Sequence, residues 1–184
     1  MARLLAHAKE RGIKTSIDVV SETGERFGRL VPPALRYTDY CIINEIEASR
    51  STGIQLRAED GALIYENVKK VLSKLFELGV SEWAVIHSPE GGFGMDKDGD
   101  YAECGLVYTP SGFIKGKVGA GDAFCAGVLS AAHRGLSLLD AVKLGNAAAT
   151  VSLRSPGATE AMETIEETMR ICSELGFEPV KLNK

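Results

Sequence analysis

Two short apolar runs constrain this chain more than anything else in it. Tyr40-Cys41-Ile42-Ile43 and Trp83-Ala84-Val85-Ile86-His87 carry almost no polar alternation. A strand of that type is covered on both faces, as in a parallel sheet with helices on either side. The surrounding segments supply the helices. Val68, Val71, Leu72, Leu75 and Leu78 form the apolar face of a helix expected over 62–78, closed by Gly79. Further helices are expected over 2–11, 45–51, 123–134, 138–153 and from 158 to about 175, with Gly12, Gly53, Gly135 and Gly176 as stops. Residues 14–20 read as a β-rich run, 34–37 as a helical turn after Pro32-Pro33, and 107–117 as a loop or edge strand. Residues 93–95 and 101–103 read as a hairpin around the polar tip Asp96-Lys97-Asp98-Gly99. Strands alternating with helices, then a helical tail, make an α/β layered fold with a mainly parallel sheet. No linker-like segment divides the 184 residues, so a single domain over 1–184 is expected.

Charge and cysteine usage narrow the function classes. The net charge is −4 and no basic run exists, which argues against nucleic acid or an anionic membrane as partner. No apolar run reaches membrane-spanning length, and the first ten residues are too charged for a signal peptide, so a cytoplasmic protein is expected. Cys41, Cys104, Cys125 and Cys172 are far apart, and His7, His87 and His133 are scattered. Neither a zinc site nor a disulfide framework is indicated. Cys125 is expected in the core, and His87 and His133 as structural or surface residues.

The chemistry concentrates at Gly116-Lys117-Val118-Gly119-Ala120-Gly121-Asp122-Ala123-Phe124. Glycines let backbone N–H groups converge, and a helix start adds its own unpaired N–H groups and positive dipole end. That combination favours an anion, above all a phosphate. Asp122 stands at the same point. Either it caps the helix, or it takes a proton from an attacking hydroxyl beside the anion. The stretch is neither a Walker A loop nor a dinucleotide fingerprint, because Gly121 is followed by Asp122-Ala123-Phe124.

Three further groups have two readings each. Asn44 and Glu47 share a face at a helix start after the first apolar run. They form a capping box, or a polar pair at the carboxyl end of a strand, where α/β sheets bind ligands and a carboxylate holds Mg²⁺ through water. Asn146, amid small residues in an alanine-dense helix, is a satisfied buried amide or reads the edge of a flat group. The turn His87-Ser88-Pro89-Glu90-Gly91-Gly92 is ordinary turn chemistry or presents backbone N–H groups to a nucleotide.

Taken in order, these pieces resemble the ribokinase/PfkB family of carbohydrate kinases. The resemblance is carried by Gly119-Ala120-Gly121-Asp122-Ala123-Phe124, Asn44-x-x-Glu47, the Gly91 turn after a strand, and Asn146-Ala147-Ala148-Ala149 followed by Gly157-Ala158. It covers nearly the whole chain but only the carboxy-terminal part of the family fold. The resemblance implies a ribokinase-like layered fold lacking the amino-terminal strands and the β lid, which carry most sugar contacts, and an open sheet edge that favours self-association into homo-oligomers. It implies ATP and Mg²⁺ as cofactors and a small-molecule sugar, sugar acid or nucleoside as partner. Asp122 would be the catalytic base, and the N–H groups of Gly119, Ala120 and Gly121 the anion hole. Asn44 would organise phosphate and Glu47 the metal. Asn146 and Ala149 would line the adenine pocket, with Ser88 and Gly91 nearby. The implied activity is transfer of the γ-phosphoryl group to a hydroxymethyl group. The alternative is a truncated, catalytically weak relative that binds nucleotide without kinase activity of its own.

This chain also departs from the family pattern. Family members often have Asp-Thr six and five residues before the catalytic Asp, where this chain has Gly116 and Lys117. The hydroxyl usual at the start of the nucleotide turn is missing at Ile86, and Val20 and Glu22 replace the usual Asn and Arg after Asp18.

Overall fold

The computed structural model describes residues 1–19 and 27–180. The departures at Val20 and Glu22 lie outside the described residues, as does the end of the run expected over 14–20. Among the described residues five strands are hydrogen-bonded in chain order: β1 (Ser16–Ile17), β2 (Tyr40–Asn44), β3 (Trp83–Ser88), β4 (Gly91–Asp96) and β5 (Tyr101–Gly105). β1 and β2 run parallel, with Ser16 opposite Tyr40 and Ile17 opposite Cys41. Only Pro89-Glu90 joins β3 to β4, and only residues 97–100 join β4 to β5. Links that short connect antiparallel neighbours, because a parallel pair needs a long crossover. The sheet is therefore mixed, with the hairpin where the turn residues place it. Asp96 shapes the tip by accepting hydrogen bonds from the backbone N–H groups of Asp98 and Asp100.

Helices flank these strands: α1 (Ala2–Lys9), α2 (Phe27–Leu30), α3 (Pro32–Leu35), α4 (Glu45–Thr52), α5 (Val68–Glu77), α6 (Ala120–His133), α7 (Leu138–Ser152) and α8 (Ile165–Leu175). The described residues fall into two compact units. The first is built from Met1–Ile86 and Gly94–Tyr101. Its buried side chains include Ile42 and Ile43 of β2 and Val71, Leu72 and Leu75 of α5, so the apolar run and the apolar stripe are used as their patterns require. The stripe is shorter than expected. Residues 62–64 do not join α5, because Leu63 pairs with Arg57 in an antiparallel bridge and the Ile64 N–H donates to the Leu56 carbonyl. A single 3₁₀ turn, Tyr65–Asn67, then leads into the helix. Tertiary backbone pairing has overridden local helix propensity there.

The second unit is built from His87–Phe93 and 102–180. α6 and α7 approach closely at glycines. A methyl group at Gly127 would stand 2.7 Å from the Leu144 carbonyl oxygen, and one at Gly145 would stand 2.9 Å from Phe124 and Val128. α8 covers the other side of α7, burying Cys172 with Val107, Ala147 and Val151. It begins later than expected, at Ile165, because the Thr164 hydroxyl accepts the Glu167 N–H and caps the helix there. Cys125 is half-buried instead of in the core.

Candidate active site

The glycine-rich stretch lies in the second unit, laid against the segment after α7. The Lys115 N–H donates to the Leu153 carbonyl at 2.7 Å. A side chain at Gly116 would run into Pro156, its Cα 2.7 Å away. Gly119 is the N-cap of α6, at φ +79°, and a methyl group there would stand 2.9 Å from the Ala158 Cα. Both the left-handed backbone and the close approach require glycine.

With Gly119 at the cap, Asp122 occupies the third position of the helix and caps nothing. Its carboxylate is exposed and has no hydrogen-bond or ion-pair partner among the described residues. The backbone N–H groups of Gly121 and Asp122 likewise have no acceptor among the described residues, while that of Ala120 reaches only the Lys117 carbonyl at 3.4 Å. The helix start thus offers unpaired donors and a free carboxylate side by side.

Next to this loop is a cavity of about 230 Å³. Ala120, Gly121 and Phe124 contribute from α6, and Asn146 and Ala149 from α7. Leu106, Val107, Ile114 and Leu153 make its apolar walls. Largely apolar walls with a few polar groups suit a small organic ligand.

The residues singled out in the sequence are distributed unequally. Ala120, Gly121, Ser88, Asn146 and Ala149 meet at this cavity. The Asn146 amide donates to the carbonyls of Cys104 and Gly105, each at 2.9 Å, so both its hydrogens hold the end of β5. The Ser88 hydroxyl donates to the Glu90 carboxylate at 2.7 Å and accepts the Glu90 N–H at 3.2 Å, which fixes the turn. Gly91 is not among the cavity-lining residues. It lets the chain pass the Cys104 carbonyl, which a methyl group would approach to 2.5 Å.

Asn44 and Glu47 belong to the first unit and form a complete capping box on α4. Asn44 Oδ1 accepts from the N–H groups of Ile46 and Glu47, and Glu47 Oε2 accepts from the Asn44 N–H at 3.0 Å. No group of three or more His, Cys, Asp or Glu side chains that could hold a metal occurs among the described residues. A magnesium ion bound beside phosphates would need only one or two carboxylates from the chain, since it usually keeps several waters.

His87, expected to be structural or surface, instead lines the cavity. Its ring stacks on Phe124 with centroids 4.9 Å apart, and burial lowers its pKa to about 4, so it is neutral at pH 7. Leu106, Val107 and Leu153 had no sequence signal, since they come from loops or helix ends whose meeting is a tertiary event.

Comparison with known proteins shows the family and the fold. A family model described as pfkB family carbohydrate kinase matches residues 1–165. Over 81 residues the chain is 37% identical to a 2-dehydro-3-deoxygluconokinase of Bacillus subtilis (strain 168), a match covering 40% of this chain and 24% of that protein. The structure of Arabidopsis thaliana ribokinase complexed with ribose and ATP superposes with a TM-score of 0.74 at 20% identity, covering 93% of this chain and 51% of that one. A 2-dehydro-3-deoxygluconokinase from Thermotoga maritima superposes with a TM-score of 0.72 at 20% identity, covering 93% and 54%. At these identities the likeness speaks for the fold, and the chain spans about half the length of these solved relatives.

Proposed function

Because the chain belongs to the pfkB family of carbohydrate kinases, we propose that it is the nucleotide-binding and catalytic part of an ATP-dependent kinase that phosphorylates a hydroxymethyl group on a sugar, sugar acid or nucleoside. One observation carries the reading: within a single unit, the start of α6 offers two unpaired backbone N–H groups and a free Asp122 carboxylate beside an apolar cavity. The cavity takes the adenine, against Ala149 and the wall that Asn146 holds in place. The resemblance gives the N–H groups of Gly119, Ala120 and Gly121 to the transferred phosphoryl group, whose charge the helix dipole also favours. Of these the Gly121 N–H is unpaired among the described residues, that of Ala120 would have to leave its long contact with the Lys117 carbonyl, and the unpaired Asp122 N–H adds a further donor. Asp122 accepts the proton of the attacking hydroxyl. Magnesium, when bound with the nucleotide, would neutralise phosphate charge, and the family resemblance alone gives Asn44 the phosphates and Glu47 the metal.

The likeness to 2-dehydro-3-deoxygluconokinases puts sugar acids among the first acceptors to try. No helix among the described residues is long and apolar enough to cross a membrane, and the proposal places the protein in the cytoplasm with a small-molecule partner. The test is ADP release with Mg-ATP over a panel of sugars, sugar acids and nucleosides. Acceptor-dependent release by one class supports the reading. ATP binding without acceptor-dependent release with any of them leaves only the nucleotide-binding alternative.

The first half of the loop carries a second expectation. Gly116 and Lys117 provide no carboxylate where relatives often have one, and the Lys117 side chain is exposed nearby. Replacing sodium with potassium in the assay should leave the rate essentially unchanged. A several-fold rise would show that a monovalent-cation site survives without that carboxylate.

A further inference from the structure

We propose that His87 binds the phosphate-bearing end of the nucleotide by donating a hydrogen bond from its ring. The inference rests on the nucleotide reading above and goes beyond it, since His87 belongs to none of the groups assigned there. Its Cε1–Nε2 edge faces the loop: a methyl group at Gly121 would stand 3.5 Å from Cε1 and 3.8 Å from Nε2. Phe124 packs against the ring, its plane tilted by 37°. Neither ring nitrogen has a partner among the described residues, and neither is among the sealed, unsatisfied polar atoms. Both therefore keep some accessible surface, and the ring lines the cavity.

Charge and donor count decide what meets the ring. Among the described residues His87 is the only titratable side chain in the cavity wall. Burial keeps it neutral at pH 7, and a neutral imidazole retains one N–H and one acceptor. Gly121, whose N–H is unpaired among the described residues, lines the same cavity beside the ring, and the likewise unpaired Asp122 N–H follows it in the chain. A place where backbone and side-chain donors converge suits an acceptor-only ligand, and ionised phosphate oxygens are of that kind. A ribose hydroxyl, which both donates and accepts, is the competing occupant.

The experiment compares ATP and adenosine binding by calorimetry for the unmodified protein and two variants. His87→Phe keeps an aromatic ring over Phe124 and removes both nitrogens. His87→Gln restores an N–H at similar reach. His87→Phe should weaken ATP binding by about tenfold, the scale of one hydrogen bond to a charged group, and leave adenosine unchanged. His87→Gln should recover most of the ATP affinity. Equal losses for ATP and adenosine would overturn the proposal in favour of ring packing or ribose contact. No loss for either would overturn it outright. An unmodified protein that binds neither ligand would instead remove the nucleotide reading, and this inference with it.

Discussion

Asp122→Asn is expected to lower the rate of sugar phosphorylation by about a thousandfold or more, within the range for loss of a general base, while ATP affinity and melting temperature stay near their original values. The substitution keeps the shape of the side chain and removes its basicity. Asp122 is exposed and without a partner among the described residues, so no buried contact is lost with the charge. Gly119 caps α6, so the helix start does not depend on Asp122 as its cap. What remains is the favourable position of a carboxylate near a helix N-terminus, worth about 0.3–1 kcal/mol. Initial rates with saturating ATP, set beside a thermal melt, separate the two effects. A rate loss far smaller than a thousandfold would mean that another group takes the proton.

The second large effect is on stability. Gly127→Ala places a methyl group 2.7 Å from the Leu144 carbonyl oxygen and 2.9 Å from the Gly145 Cα. Both are backbone atoms of α7, so relief requires the two helices to move apart. Overpacking of this kind costs about 1–3 kcal/mol, less whatever alanine gains in helix propensity over glycine. The melting temperature should fall by several degrees, and valine at the same position should lower it further. Ala126→Ser, one residue away on the exposed side of α6, is the control and should change little. An unchanged melting temperature in Gly127→Ala would show that α6 and α7 are not held as closely as described. Asp122 starts α6, and Asn146 and Ala149 lie on α7. A shift large enough to relieve the clash should therefore also weaken nucleotide binding.

What could be read from the chain in advance was local. The run Tyr40–Ile43 reports its two-sided burial by lacking polar alternation. Asn44-x-x-Glu47 reports its capping box because both partners lie within one helical turn. The glycines before Asp122 report the helix start because backbone conformation restricts which residues fit there. The missed features depend on residues far apart in sequence. α5 starts late because Leu63 pairs with Arg57. Asn146 turned out to secure the end of β5 through Cys104 and Gly105, some forty residues earlier in the chain. His87 became a cavity residue only once Phe124 and Gly121 were placed beside it. A histidine without a neighbouring carboxylate in sequence carries no local mark of that role. The start of α8 was legible in principle, since Thr164-x-x-Glu167 is a capping signature that outranks the earlier Ala158-Thr159-Glu160.

Phosphorus NMR of the protein with Mg-ATP and the preferred acceptor tests the central claim most directly, because it follows where the γ-phosphoryl group goes. The account predicts a growing phosphomonoester resonance of the acceptor, matched by ADP and abolished in Asp122→Asn. ADP accompanied only by inorganic phosphate, or ATP left intact with every acceptor class, would contradict it.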